Sequence, residues 1–543
     1  MGPALVRVAV VGGGPGGLFL ATLLRRANPS AEVTVFERNP AGDTFGFGVV
    51  FSDRTLAGIH AADPVLREAL ERHGRHWDEI EVRLKGERLR CAGNGMAAIA
   101  RRTLLRLLAD RAEEAGAEVR YATEVRLADL DGYDLVVAAD GTGSTIRQEL
   151  RGLGVELGES VETASAKFIW FGADYLFDGL TFVHQRGPHG VFAVHGYPIS
   201  DEVSTFIVET DEASWRAAGL DRFDVGQPPG PSDLVSQAYL EELFAGQIDG
   251  GRLLGNNSRW GNFRTRRTSR WSTCTPRPVA LLGDAVHTAH FSVGSGTKMA
   301  IEDAVALAAA LTEHPGDLPG ALAAYEAAAQ PSVRAIQGSA GPSLSWWEHF
   351  GRYHDAFEPW QFGYHFLSRS ITDARLSRRD PKFVAAAHRG WLRRHGAEPL
   401  RSELELAGVT LKGRVLTVTE RLATEPDSGV EFALLAELPP GAGAGQRWGA
   451  RVRAPDGEGS LAAALDQLAS LVAAGPALVA VHGGTPLNRT LLCEQSRLRH
   501  GVPALLVVDQ LDRDRAVTAV LSGRADLVGL SEAEEDNRGH HDQ

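Results

Sequence analysis

The strongest constraint on the fold is a β-branched run, Val6–Val11, that ends in Gly12-Gly13-Gly14-Pro15-Gly16-Gly17. Leu18–Arg26 follows with apolar residues in a helical period, and Glu32–Glu37 is a second β-rich run. Glycine permits the tight turn and lets a pyrophosphate approach the N–H groups at a helix N-terminus. Glu37 lies twenty residues after Gly17, where a carboxylate would accept the hydrogen bonds of an adenosine ribose. The pattern predicts β–turn–α–β, the opening of a doubly wound α/β sheet that binds a dinucleotide. The plain alternative is a glycine-rich turn of some other α/β fold.

Two later motifs bear on that choice. Asp134–Ala139 is a buried-strand pattern that delivers Asp140 and Gly141 to a loop before a helix. Val279–Leu282 does the same for Gly283 and Asp284, and Gly294-Ser295-Gly296 leads into a helix near Thr297. The last is a second anion cradle, and Asp284 is placed to accept from ribityl hydroxyls. Each alone is a generic loop; in this order they point to one dinucleotide site. Between them, Lys167–Asp174, Leu180–His184, Val191–Tyr197 and Thr205–Glu209 read as strands of an antiparallel sheet, with a loop at Gly226–Pro231.

Composition removes other classes. The chain has 543 residues, 43% hydrophobic and 23% charged, an ordinary globular balance. A net charge of −13 argues against non-specific binding to nucleic acid or an anionic membrane. Cys91, Cys274 and Cys493 match no disulfide or zinc spacing. No run of about 18 apolar residues is present, so no transmembrane helix is expected. The expectation is a soluble cytoplasmic protein. His287 and His290 stand three apart without a paired carboxylate motif, so no metal site is expected.

The ordered trio of GxGxxG, Asp140-Gly141 and Gly283-Asp284 resembles the single-component FAD-dependent aromatic hydroxylases of the para-hydroxybenzoate hydroxylase type. Within that class, Gly46–Asp53, Lys167–Gly172 and Gly283–Lys298 are similar to a narrower group. It comprises the salicylyl-CoA 5-hydroxylases and the monooxygenase half of anthraniloyl-CoA monooxygenase/reductases. The resemblance implies that Gly12, Gly14, Pro15 and Gly17 hold the FAD pyrophosphate, with Glu37 and Arg38 at the adenosine ribose. Arg101 would lie near the FAD, and Asp140 and Gly141 would serve both FAD and NADH or NADPH. Gly283 and Asp284 would meet the ribityl–phosphate portion. Gly294, Gly296, Thr297 and Lys298 would border the isoalloxazine. The broad class usually has Pro where Phe291 stands and Asn where Lys298 stands; the CoA-thioester group matches this chain at both.

The implied chemistry is hydroxylation by a flavin C4a-hydroperoxide formed with O2 and NAD(P)H. The substrate would be an aromatic acyl-CoA, with salicylyl-CoA giving gentisyl-CoA. His195 and Tyr197 share one strand face and are the candidates to meet a phenol; Phe291 is a candidate apolar wall. Both polar residues read equally well as ordinary half-buried sheet positions. Arg264, Arg266, Arg267 and Arg270 form a cluster that could pair with CoA phosphates or be a solvated run. A free phenolic acid, an indole or a polycyclic intermediate remains an alternative substrate, and a non-catalytic FAD-binding scaffold an alternative function.

The expected organisation is an FAD-binding domain (1–160 and 270–340), an antiparallel-sheet substrate domain (161–269), a helical extension (341–396) and a small α/β domain (397–543). In the last, Leu411–Val418 resembles the first barrel strand of old yellow enzyme-type reductases and Ser522–Val528 their closing element. About 250 residues usually make such a barrel. The tail therefore reads as a degenerate remnant without FMN, with Val430–Ser460 loop-like. It would cover the hydroxylase or mediate a contact such as a homodimer.

Overall fold

The structure is a computed structural model that describes residues 7–52, 56–223, 230–437, 447–457 and 461–532. Asp53 and most of the expected loop Gly226–Pro231 lie outside the described residues. The chain divides into two compact units, Met1–Gly351 and Arg352–Gln543.

The first unit holds two main sheets. One has six strands, in the order Ser272–Thr273, Val279–Leu281, Leu135–Ala138, Arg7–Val11, Glu32–Phe36 and Glu118–Arg120. All its neighbours are parallel except the first pair. Its central strands are buried on both faces, which is why they read as unbroken Val/Ala/Leu runs. In register, Val11 lies beside Ala138, and Ala138 beside Leu281. The three motif loops therefore leave the carboxyl ends of three adjacent strands, the place where open α/β sheets bind ligands.

The second sheet has eight strands and is mostly antiparallel, built on Glu159–Ala173, Ser204–Thr210, Gly190–Pro198 and Leu180–Gly187. The hairpin Ile80–Leu84/Glu87–Cys91 extends it beyond 161–269, pairing in parallel with Leu180–His184. One face carries Phe171, Phe192, Val194, Phe206 and Val208 into an apolar cluster with Leu240 and Phe244. The other carries Phe168, Trp170, Phe182, His184, His195, Tyr197, Thr205, Ile207 and Glu209, by the strict alternation of the paired register. The helix Leu318–Ala356 runs unbroken through the expected boundary at 340 despite Pro331 and Pro342.

The second unit bears out an α/β barrel in the tail and corrects the reading of Val430–Ser460 as loop. Seven strands, from Val415–Val418 to Leu527–Ser531, form a closed barrel. Val415 pairs with Val528, so the two pieces singled out in the sequence meet and close the ring. Glu431–Leu435 and Trp448–Arg453 are strands within the stretch expected to be loop. The Pro/Gly run between them hid their alternation. Fewer residues suffice because Val415–Val418, Leu422–Thr424 and Glu431–Leu435 are joined as antiparallel neighbours, without crossover helices. Leu416, Val418, Phe432, Leu434, Leu478, Ala480, Leu505 and Leu527 fill one apolar cluster. Trp448, Ala450, Val452, Val479 and Val481 form another with Leu468 and Leu492.

Candidate active site

Gly12 has φ +113° and runs so near the next strand that a Cβ would stand 2.3 Å from the Ala139 carbonyl oxygen. Gly17 is as constrained, its Cβ position 2.3 Å from the Gly12 carbonyl oxygen. Gly14, by contrast, faces open space, and no side chain caps the helix Pro15–Ala27 that it starts. The loop thus leaves room and free N–H donors where an anion would sit. Glu37 Oε2 accepts from Gly13 N at 2.8 Å, and Oε1 accepts from Asn39 N and Nδ2 at 2.8 and 2.7 Å. Arg38 beside it is exposed.

The other two loops complete the rim. Asp140 Oδ2 accepts from Thr145 N at 2.7 Å and Ile146 N at 3.3 Å, while Oδ1 is buried without a protein partner. Gly141 has φ +78° and open space where a Cβ would point. Gly283 N donates to Asp303 Oδ2 at 2.9 Å, which holds that loop against the helix Gly296–Glu313. Asp284 is exposed, yet desolvation raises its pKa, with His287 and Arg101 opposing. That combination marks a carboxylate on the floor of a cleft. Arg101, half-buried, has its pKa lowered by desolvation and feels Asp284 and Tyr197. Gly294 takes φ +61°, Gly296 faces open space, and the helix after them carries no side-chain cap. Thr297 and Lys298 are half-buried in its first turn, with Lys298 Nζ 2.7 Å from Glu302 Oε2. An orphaned acceptor, two uncapped glycine cradles and a cleft carboxylate fit the hydroxyls and phosphates of FAD.

Residues 5–339 match the FAD binding domain family. Salicyloyl-CoA 5-hydroxylase of a Streptomyces species is 55% identical over 527 residues, 96% of this chain and 99% of the relative. The chain belongs to the FAD-dependent aromatic hydroxylases. A 3-hydroxy-4-methyl-anthranilyl-[aryl-carrier protein] 5-monooxygenase of Streptosporangium sibiricum is 37% identical, covering 63% of this chain and 89% of the relative. A crystal structure of 2-methyl-3-hydroxypyridine-5-carboxylic acid oxygenase matches the fold with TM-score 0.51 at 18% identity, over 68% of this chain and 98% of its own.

In this hydroxylase the antiparallel sheet brings His195 and Phe291 together, with ring centroids 5.4 Å apart. Phe291 also meets Phe168 at 5.1 Å and Phe263 at 6.0 Å, and all three phenyl rings are half-buried. Behind them Glu209 bridges two imidazoles, His195 Nε2 at 2.6 Å and His290 Nε2 at 3.2 Å. Trp347 lies 4.1 Å from the His195 ring. Tyr197 goes elsewhere. It packs on Trp77 at 6.2 Å, its Oη reaches the Gly48 carbonyl at 3.5 Å, and burial pushes its pKa up to about 12. His287 and His290 also part company, since His287 Nε2 lies 2.7 Å from Asp303 Oδ2.

The arginines are not gathered into one patch. Arg266 is buried and ion-paired with Glu159, and desolvation lowers its pKa to about 10. Arg267 Nη1 lies 2.6 Å from Glu162 Oε2, and Arg270 Nη1 donates to the Glu156 carbonyl at 3.1 Å. Arg264 is exposed. Sequence reasoning missed Glu209, His290, Trp347, Phe168 and Phe263. For Glu209 and Phe168 a signal existed: both have the strand parity of the face that carries His195.

Proposed function

We propose that this chain hydroxylates salicyloyl-CoA at ring position 5 to give gentisyl-CoA. The stoichiometry is one O2 and one NAD(P)H with a proton, yielding NAD(P)+ and water. The observation that carries the reading is the near-full-length identity with the Streptomyces 5-hydroxylase, which extends through the barrel as well as the flavin unit.

FAD, when bound, supplies the activation of O2 and the transfer of one electrophilic oxygen to the ring. The chain's residues do the rest. The Gly12–Gly17 loop and Asp140 bind the dinucleotide, and Asp284 with Arg101 fixes its ribityl end. Phe168, Phe263 and Phe291 offer apolar surface to an aromatic ring and exclude water from it. His195 offers the polar contact behind that ring. Arg264, exposed on its strand, is a cation available to a CoA phosphate.

The test is turnover of the FAD-loaded protein with salicyloyl-CoA, free salicylate and anthraniloyl-CoA, each with NADH and NADPH. Gentisyl-CoA formation coupled to cofactor oxidation is expected with the first substrate. Equal rates with free salicylate would overturn the thioester reading, and substrate-independent oxidation without product would overturn the hydroxylase reading.

A further inference from the structure

The barrel of the second unit ends in charges that the flavin chemistry does not use. Along Trp448–Arg453, the residues Trp448, Ala450 and Val452 pack on the outside with Leu468 and Leu492. Gly449 faces the other way. A Cβ there would stand 2.7 Å from Leu478 Cδ1 and 3.0 Å from Leu434 Cδ2, both in the inner apolar cluster. Strand alternation then turns Arg451 and Arg453 inward as well. On the parallel neighbour, Leu478 and Ala480 belong to the inner cluster, so His482 shares their side, and register sets it beside Arg453. Arg451 Nη1 donates at 2.6 Å to the carbonyl of Glu420, in the turn after Val415–Val418, and so reaches beyond its neighbouring strands. Two guanidiniums and an imidazole thus lie above the inner apolar layer at the carboxyl ends of these strands, the end where parallel barrels bind ligands. The last two strands are followed instead by acidic Asp509 and Glu532.

The rim around the cations is tied together. Ala454 N donates to the His482 carbonyl at 2.8 Å, and Thr485 N and Asn488 Nδ2 donate to the Pro455 carbonyl at 3.2 and 2.9 Å. Gly483 and Gly484 take φ +66° and +57°. A Cβ on Gly484 would stand 2.3 Å from the Ala454 carbonyl oxygen, and one on Gly483 would stand 3.2 Å from Arg453 Nη1. Glycine at both positions lets this loop close under the Arg453 guanidinium. Asp456 Oδ2 lies 3.5 Å from Arg453 Nη2, but both side chains are mostly exposed, so the pair is weak. Burial, then Arg451 and Arg453, lower the His482 pKa to about 4 against the pull of Glu420. Positive charge therefore prevails at the imidazole.

We propose that Arg451, Arg453 and His482 form an anion site in the carboxyl mouth of the barrel, and that its ligand is the diphosphate group of a nucleotide. A guanidinium fork matches phosphate oxygens two at a time. The two forks rise from alternate positions of one strand, about 7 Å apart, which suits two linked phosphoryl groups better than one. The proposal does not depend on the hydroxylase reading.

The test is calorimetric titration of the FAD-loaded full chain, at low ionic strength, with inorganic pyrophosphate, ADP and coenzyme A. Wild type should bind pyrophosphate, and the double variant Arg451→Gln/Arg453→Gln should bind it about tenfold or more weakly. Asp456→Asn removes the competing carboxylate at an exposed position and should tighten binding about twofold. That variant keeps the test open should the double variant fail to fold. If coenzyme A also loses about tenfold in the double variant, the occupant is the diphosphate of the acyl-CoA; if only ADP does, it is a free nucleotide. Either result supports the site. No pyrophosphate binding to wild type, or the same affinity in wild type and the variants, would overturn it. Turnover of salicyloyl-CoA is measured separately, so the two readings fail independently.

Discussion

The backbone N–H of Gly13 donates to Glu37 Oε2 at 2.8 Å, tying the glycine loop to the end of the second strand. Glu37 Oε1 holds Asn39 as well, so one carboxylate fixes both the glycine loop and the turn after the second strand. Glu37→Ala frees these donors. A lost hydrogen bond to a charged group costs roughly 1.5–3 kcal/mol. FAD affinity measured by quenching of flavin fluorescence should fall about tenfold or more, and an unchanged Kd would refute the clamp.

Gly17→Ala should be more severe. The added Cβ would lie 2.3 Å from the Gly12 carbonyl oxygen and 3.1 Å from Val10 Cγ1, and neither backbone nor core can yield cheaply. Overpacking of this kind costs about 1–3 kcal/mol or more. The purified variant should be colourless or readily lose flavin, with a lower melting temperature.

The arginine cluster separates into structural and accessible members. Arg266→Ala leaves the half-buried Glu159 with only the more distant Arg147 and Arg151, and breaking so shielded a pair costs about 3 kcal/mol. Arg264→Ala should change stability by no more than about 0.5 kcal/mol. If Arg264 meets a CoA phosphate, that variant raises KM for salicyloyl-CoA with little change in kcat. Chemical denaturation and steady-state kinetics on the two variants read both effects.

The C-terminal unit should lose stability in acid before its carboxylates titrate. His365 is fully buried, and burial, then Arg524, lowers its pKa to about 4 against the pull of Glu494. Its folded pKa is depressed below the unfolded 6.5, so its contribution is complete above pH 6.5 and is lost as pH falls toward 4. The slope is about 1.4 kcal/mol per pH unit for one such group. Thermal unfolding should therefore be markedly easier at pH 5 than at pH 7.5. His365→Gln should flatten that dependence while lowering stability at neutral pH.

Much of the first unit's parallel sheet and its loops was legible in the sequence. Gly12–Gly17, Asp140-Gly141 and Gly283-Asp284 are local: each joins a strand to a loop or helix within a few residues, and backbone geometry demands glycine there. The runs Leu180–His184 and Val191–Tyr197 were equally readable as strands, and they lie within Leu180–Gly187 and Gly190–Pro198. In the barrel the two end strands and the runs at Leu478–His482 and Ala504–Val508 were readable. Its middle was obscured because the Pro/Gly run between Leu435 and Trp448 outweighed two short alternating segments.

Sequence alone determined the dinucleotide-binding type of fold, because glycine spacing and strand-end carboxylates are set by contacts close in the chain; the hydroxylase class entered as a resemblance carried by the order of those motifs. Tertiary structure decided what Glu209, His290 and the arginines do. Whether a charged residue on a strand is a solvated ornament or a buried partner depends on which strands lie beside it. Register placed Glu209 on the face of His195, and a loop eighty residues on supplied His290. It also set Glu159 against Arg266, turning one member of an apparent surface patch into part of the core. Partners this far apart in sequence meet only because the sheet buries both, and burial is what makes their charges matter.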